Sequence, residues 1–203
     1  MSLATYADLQ TSIGDWINRP NLSSVYADLI RLAEAHFDRT LKTREMEVTT
    51  TPSISSGSRA IETDYLATIS LRVDGDPRRD EVTYVSPDEY DQFRDCTGGP
   101  THYTIVGDTM LFWPQPSEAT SLSFRYRQQI PRLSDSNTSN WLLSKYPDAY
   151  LWGSLAEASD YIADERRLQR YISRRDAALE MINKVDREKI NARRRVRPSS
   201  AVA

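Results

Sequence analysis

The period of the hydrophobic residues changes twice along the chain, and this change restricts the fold more than any other feature. Near the N-terminus, Leu9, Ile13, Trp16 and Ile17 recur at the spacing of one helix face. In the middle third, apolar and polar residues alternate, which predicts β-strands, and helical spacing returns after Pro147. Strands and helices do not alternate as a parallel sheet requires, so the sequence predicts an α+β fold.

Four long helices are predicted, over about 5–18, 24–45, 147–163 and 165–184, with Thr5 and Asp164 as caps of the first and last. Ser86 with Glu89 forms a capping-box pattern that predicts a short additional helix ending near Arg94. The second long helix carries two neighbouring apolar rows, which is typical of a helix buried on more than one side. We therefore expect a helical bundle, formed by N-terminal helices and a C-terminal helical hairpin. A small antiparallel β-hairpin sheet would be inserted at about 48–130. Residues 1–183 would form one domain, followed by an extended tail.

Within the β region, turn residues predict where the strands pair. Residues 69–73 and 81–85 flank a turn rich in Asp and Gly, which predicts a hairpin. Gly107 and Asp108 favour a two-residue hairpin loop, and residues 122–126 alternate as one more strand. The stretch 49–58 is rich in Ser and β-branched residues, and we expect an extended arm or loop with little core there.

Charge is distributed unevenly. The formal net charge is -3. Seven basic and two acidic residues fall within 184–203, so this segment carries +5 and the rest of the chain carries -8. The basic residues of the tail are Lys184, Arg187, Lys189, Arg193, Arg194, Arg195 and Arg197. They are suited to neutralising phosphates without sequence preference or to binding carboxylates in an acidic protein groove; a solvated end is the third alternative.

Residues with catalytic or metal-binding chemistry are few. The chain has two histidines, His36 and His102, and one cysteine, Cys96, without a phosphate-binding glycine loop or a nucleophile elbow. The acidic residues Asp88, Glu89, Asp91 and Asp95 fit a solvated helix face better than a metal site. We expect no cofactor, no metal and no enzymatic activity. A hydrolase would need an acid such as Glu62 or Glu157 in a deep cleft with a raised pKa.

Several blocks of the sequence occur together in the order known from one protein family. They are YADLQTSIGDWINR (6–19), LIRLAEAHFDRTLKTREME (29–47), LRVDGDPRR (71–79), PTHYTIVGD (100–108), LFWPQP (111–116) and NWLLSKYPDAYLWGSLAEA (140–158). Together they span about residues 5–175, and they resemble the head-to-tail adaptor, or connector, proteins of tailed bacteriophages. None of the blocks is a catalytic signature, so the resemblance depends on their sum.

This resemblance implies a structural virion protein of the phage neck, present in the host cytoplasm during assembly. Such adaptors form a ring, usually of twelve copies, that binds the portal, extends the DNA channel and carries tail or nozzle proteins. The C-terminal segment of related adaptors contacts the portal, and here that role would fall to the basic tail. The resemblance implies no membrane partner. The alternative is a nucleic-acid-binding accessory protein that acts through the basic tail.

A ring of identical subunits needs two different lateral faces, because head-to-tail contacts close into a ring. The doubly apolar second helix and the 147–163 helix are the segments we expect to supply them. The predicted subunit–subunit contacts are Tyr26, Ile30, Phe37, Leu151, Trp152 and Leu155.

Overall fold

The computed structural model of the protein describes residues 3–75 and 81–195, and it combines α-helices with two small β-sheets. The chain divides into two compact units. The first contains Met1–Glu45 and Ile130–Ala203, and the second contains Met46–Gln129. The mixed α and β composition expected from the sequence is therefore confirmed.

The described elements follow the predicted order of helices, strands and helices. The helices are α1 (Tyr6–Ile17), α2 (Tyr26–Thr40), α3 (Pro87–Tyr90), α4 (Trp141–Lys145), α5 (Pro147–Tyr161) and α6 (Glu165–Arg195). The strands are β1 (Glu47–Thr50), β2 (Ser53–Ile54), β3 (Ser58–Ala60), β4 (Tyr65–Val73), β5 (Thr83–Tyr84), β6 (His102–Val106), β7 (Thr109–Trp113) and β8 (Thr120–Gln128). Short 3-10 turns precede and follow α2, at Pro20–Val25 and Arg44–Met46.

Helix α1 begins and ends where its sequence predicts. The Thr5 side chain accepts a hydrogen bond from the Asp8 backbone N–H (3.2 Å), and the Asp8 carboxylate accepts one from the Thr5 N–H (3.2 Å). This capping box satisfies two of the N–H groups that a helix start leaves without partners. At the other end, Asn18 adopts the left-handed conformation (φ 54°), and its N–H donates to the Gly14 carbonyl.

Helix α2 is shorter than predicted. It begins at Tyr26 rather than near residue 24, and it ends at Thr40 rather than near residue 45. Leu41 takes an extended conformation and is fully buried. Burial of this side chain stabilises a turn of the chain at the point where helical propensity alone would continue the helix.

Helix α6 is longer than predicted. It continues to Arg195, past the expected end near residue 184, and it contains no Gly or Pro to stop it. Its start agrees with the sequence, because the Asp164 carboxylate accepts a hydrogen bond from the Arg167 N–H (3.1 Å). The first part of the predicted tail is thus helical, and residues 196–203 lie outside the described residues.

In one sheet of the second unit, β8 is the strand with which all the other strands pair. It pairs antiparallel with β1, β2 and β4. The other sheet has the order β3-β7-β6-β5. The predicted hairpin of β6 and β7 around Gly107 and Asp108 is confirmed, and Gly107 has a positive φ of 59°, which glycine adopts without steric cost. The side chains of Leu71, Phe112 and Phe124 are among those buried in the core of this unit.

Two predictions in the β region were wrong. Residues 81–85 do not form the hairpin partner of β4, since Glu81 makes only a single bridge to Arg72 and β5 joins β6 in parallel. Strand β8 takes that place, because pairing Leu71 with Phe124 buries both. Residues 49–58 also take part in three short strands rather than a loop, and Thr49 pairs with Arg125 of β8.

Candidate interaction surfaces

The first unit is organised around a buried carboxylate. Glu34 of α2 is fully buried, and its Oε1 accepts hydrogen bonds from the Leu133 N–H (2.9 Å) and the Tyr150 hydroxyl (3.0 Å). Burial raises the pKa of Glu34, because the charged form loses its hydration. The Arg132 guanidinium opposes this shift from 3.8 Å. Glu34 therefore ties residues 130–133 and α5 to α2.

Two neighbours extend this network. The Asn140 amide donates to the Tyr150 hydroxyl (2.6 Å) and to the Pro131 carbonyl (2.7 Å). Asp38 accepts from the Ile130 N–H (2.8 Å) and pairs with Arg132 (2.7 Å). Burial also raises the pKa of Tyr150, so the hydroxyl keeps its proton and donates to Glu34. The arrangement is that of a hydrogen-bonded structural frame.

Five of the six predicted subunit contacts are covered within the subunit itself. Ile30, Phe37 and Leu155 have no exposed surface, and Tyr26 and Leu151 are 6% and 7% exposed. Helices α2 and α5 pack so closely that a Cβ on Gly153 would lie 2.6 Å from the Phe37 ring. The apolar row of α2 that contains Tyr26, Ile30 and Phe37 therefore serves the interior of the unit, whereas Leu32 of the second row is 54% exposed. A contact between subunits at the predicted positions stays a prediction.

The sixth predicted contact, Trp152, lies in an aromatic cluster at the surface. Its ring packs edge-on against Trp16 of α1 (centroids 5.3 Å apart) and stacks on Tyr171 of α6 (5.9 Å). The Arg174 guanidinium lies 4.4 Å from the Trp152 centroid, in a cation–π contact. Trp152 is half-buried and Trp16 is 38% exposed, so part of the cluster faces solvent.

Helix α6 continues this surface with arginines, of which Arg166 and Arg170 are exposed and Arg174 is half-buried. Arg166 and Arg170 precede Arg174 at intervals of four residues, which places the three on one side of the helix. The sequence prediction missed this face, because the count of basic residues was centred on 184–203. The recurrence of Arg at positions 166, 170 and 174 is the signal that would have found it.

The second half of α6 is anchored to the end of α2. The Asn183 Oδ1 accepts from the Lys42 N–H (3.0 Å), and its amide donates to the Thr40 carbonyl (3.2 Å). Arg44 pairs with the buried Asp186 at 3.0 Å. A cleft of about 290 Å³ lies here, lined by Thr40, Lys42, Asn183 and Arg187.

The basic residues predicted to contact a portal divide into three groups. Lys184, Arg187 and Lys189 are exposed on α6. Residues 193–195, all arginines, form the last helical positions of α6, and Arg197 lies outside the described residues. Their contact with a partner stays a prediction.

The two acids considered for hydrolysis each lie beside an arginine. Glu62 pairs with Arg59 through both carboxylate oxygens (2.7 and 3.1 Å). The pKa of Glu157 is raised by burial, and Arg175, 3.8 Å away, opposes that rise. Each of the two acids is thus paired with an arginine within its own unit.

The remaining polar candidates also have ordinary structural roles. His36 lies 4.0 Å from Asp176, and its pKa is lowered by burial. His102 packs against Trp113 and shares a hydrogen bond with Thr101 (2.9 Å). Of the acidic residues at 88–95, Glu89 closes the capping box of α3, and all four are exposed, as is Cys96. Among the described residues, no group of three or more potential metal ligands converges.

Comparison with known proteins assigns a family. The profile of the family described as SU10 adaptor protein matches residues 4–199. A search of curated proteins gives no significant match. Across the described residues, none of the helices has the length and apolar character needed to span a membrane.

Proposed function

The chain belongs to the SU10 adaptor protein family, a family of phage head-to-tail adaptors, and we propose that its copies form a ring beneath the phage portal. The ring, of twelve copies as is usual for such adaptors, extends the DNA channel and gives tail or nozzle proteins a platform. The observation that carries this proposal is the extent of the family match, which includes both compact units. The chain acts by binding, in the neck of the virion.

The C-terminal part of α6 is the segment that we assign to the portal. Its anchor at Asn183 and Asp186 fixes the direction in which the following basic residues leave the unit. Lys184, Arg187 and Lys189 are exposed there and are suited to carboxylates on an acidic portal surface. The charge of +5 in residues 184–203 supports such a contact.

Deletion of residues 190–203 combined with Lys184→Ala, Arg187→Ala and Lys189→Ala tests the assignment, because it removes all seven basic residues of the tail and leaves Asn183 and Asp186 in place. We expect the truncated chain to keep its unfolding transition and to lose binding to the cognate portal in co-sedimentation. The full chain should add a ring to one end of the portal in negative-stain images. A truncated chain that still adds this ring would contradict the assignment of the tail.

The basic tail also fits nucleic acid, and the same variants separate the two partners. DNA binding through phosphates would weaken steeply with salt, and it would show as a gel shift that the deletion abolishes. If the full chain shifts DNA and leaves the portal bare, the nucleic-acid function replaces the adaptor proposal.

A further inference from the structure

The positive charge of the chain is concentrated in α6 and its continuation. Residues 165–203 contain twelve of the 26 basic residues and five of the 29 acidic ones, and so carry +7. Since the whole chain carries -3, residues 1–164 carry -10. One helix is therefore basic, while the rest of each copy is acidic.

The exposed side of this helix combines charge with aromatic surface. We call Trp16, Trp152, Arg166, Arg170 and Arg174 the Trp–Arg face. The Arg174 guanidinium lies 4.4 Å from the centroid of the Trp152 ring. Because this contact already orders the long side chain, Arg174 loses less conformational entropy when a partner binds. The exposed edge of Trp16 adds apolar area beside it. Tryptophan and arginine are the residues most enriched at the energetic centres of protein interfaces.

We infer that the Trp–Arg face binds the acidic surface of a second copy of this chain. The inference rests on the proposed function, since a ring closes through contacts between two different surfaces of identical subunits. The arginines of the face lie in residues 165–183, whose five basic and three acidic residues carry +2, so the face is complementary to the -10 of residues 1–164 in a neighbouring copy.

A photocrosslinker placed on the face identifies its partner directly. We would replace Ser173, which is exposed between Arg170 and Arg174, with p-benzoylphenylalanine. The matched control carries the same group at the exposed Ser117 of the second unit. The full chain would be irradiated alone over a range of concentrations, together with the portal, and together with duplex DNA. Adducts would be identified by mass spectrometry.

Charge reversal then tests the arginines themselves. Arg166→Glu and Arg170→Glu would be combined in one variant, and Arg72→Glu and Arg125→Glu in its control, because all four side chains are at the surface and the charge change is equal. We expect the crosslinker at position 173 to form adducts between copies of the chain. In the Arg166/Arg170 variant, the same yield of adducts should require a protein concentration about tenfold higher than with the original arginines. High salt should likewise lower the yield of these adducts in the protein that keeps both arginines, because salt screens the attraction between charges. Circular dichroism should show both variants folded.

Three results overturn the inference. The first is the absence of copy-to-copy adducts from position 173 in every condition, and the second is equal crosslinking by the two charge-reversal variants. The third is crosslinking of position 173 to DNA or to portal in place of another copy. Failure of the proposed function is a separate result, in which the unaltered chain does not add to the portal although position 173 crosslinks copies of the free chain.

Discussion

The Tyr150 hydroxyl donates a 3.0 Å hydrogen bond to Oε1 of Glu34 and thereby joins α5 to α2 inside the first unit. Both side chains are fully buried. A buried carboxylate is costly when it lacks hydrogen-bond donors, so the three groups that face Glu34, namely Tyr150, Leu133 N–H and Arg132, are the reason that this position tolerates a glutamate. Glu34 therefore joins Leu133 and Tyr150 to α2, beside the separate contacts that Asp38 makes with Ile130 and Arg132.

Tyr150→Phe removes a donor to Glu34 and an acceptor for Asn140 without changing the shape of the ring. We expect the free energy of unfolding to fall by about 1–3 kcal/mol, because buried polar groups lose their partners. Urea denaturation followed by circular dichroism measures this loss. Tyr161→Phe is the matched control on the same helix, since that side chain is 60% exposed and should change stability by less than about 0.5 kcal/mol. Equal effects of the two changes would contradict the role of the network.

Glu34→Gln should alter how stability depends on pH. Burial raises the pKa of Glu34 above its ordinary value of 4.5, so the folded chain keeps this proton to a higher pH than the unfolded chain does. The stabilising contribution of the protonated form is complete below pH 4.5 and is lost as pH rises through the folded pKa. The wild type should therefore lose stability relative to Glu34→Gln as pH rises from 4.5 towards 7.

Urea denaturation of both proteins at a series of pH values measures this difference. Glu165→Gln, at an exposed position at the start of α6, serves as the control and should show a smaller change with pH. A difference between wild type and Glu34→Gln that stays constant over the range would contradict the raised pKa.

Gly153→Ala should be destabilising although alanine favours helices. The new Cβ would lie 2.6 Å and 2.9 Å from two atoms of the Phe37 ring and 3.3 Å from the Ala33 Cβ. The gain in helix propensity is about 1 kcal/mol, whereas overpacking a core costs about 1–3 kcal/mol. We expect a net loss in thermal unfolding, which Phe37→Leu should partly relieve in the double variant. Gly14→Ala, whose nearest contact is the Tyr26 hydroxyl at 3.2 Å, should cost less. Additive effects of the changes at 153 and 37 would contradict a direct clash.

Local signals in the sequence predicted the element starts well, because the groups that cap a helix are near neighbours in the chain. Thr5 with Asp8, Ser86 with Glu89, and Asp164 each act within three residues. Long-range choices were harder. The partner of β4 is β8, about fifty residues away, and nothing in residues 69–85 distinguishes it from the nearer strand. The end of α2 at Thr40 depends on burial of Leu41, which periodicity alone does not show.

The surface residues show the same limit. Apolar spacing on α2 and α5 predicted contact but could not distinguish a core position from a subunit interface. Ile30 and Leu155 are fully buried within the subunit, and their contact with a second subunit stays a prediction. Trp152 differs because Arg174 and Trp16 surround it at the surface. Counting charges over 184–203 found the tail but not the arginines of the first half of α6, since these lie before residue 184 and acids on either side of them, Glu165, Asp176 and Glu180, reduce the net charge of that half.

Asn183 gives a test that separates the position of the tail from its charge. Its side chain bonds Lys42 N–H and the Thr40 carbonyl, which are backbone groups just beyond and at the end of α2. Asn183→Ala removes both bonds and keeps every basic residue of 184–203. We expect faster amide hydrogen exchange at Lys42, a loss of about 1–2 kcal/mol in the free energy of unfolding, and weaker binding to the portal. Glu180→Ala, at an exposed position one turn earlier, is the control. Portal binding that stays at the wild-type level while exchange at Lys42 rises would show that charge alone attaches the tail.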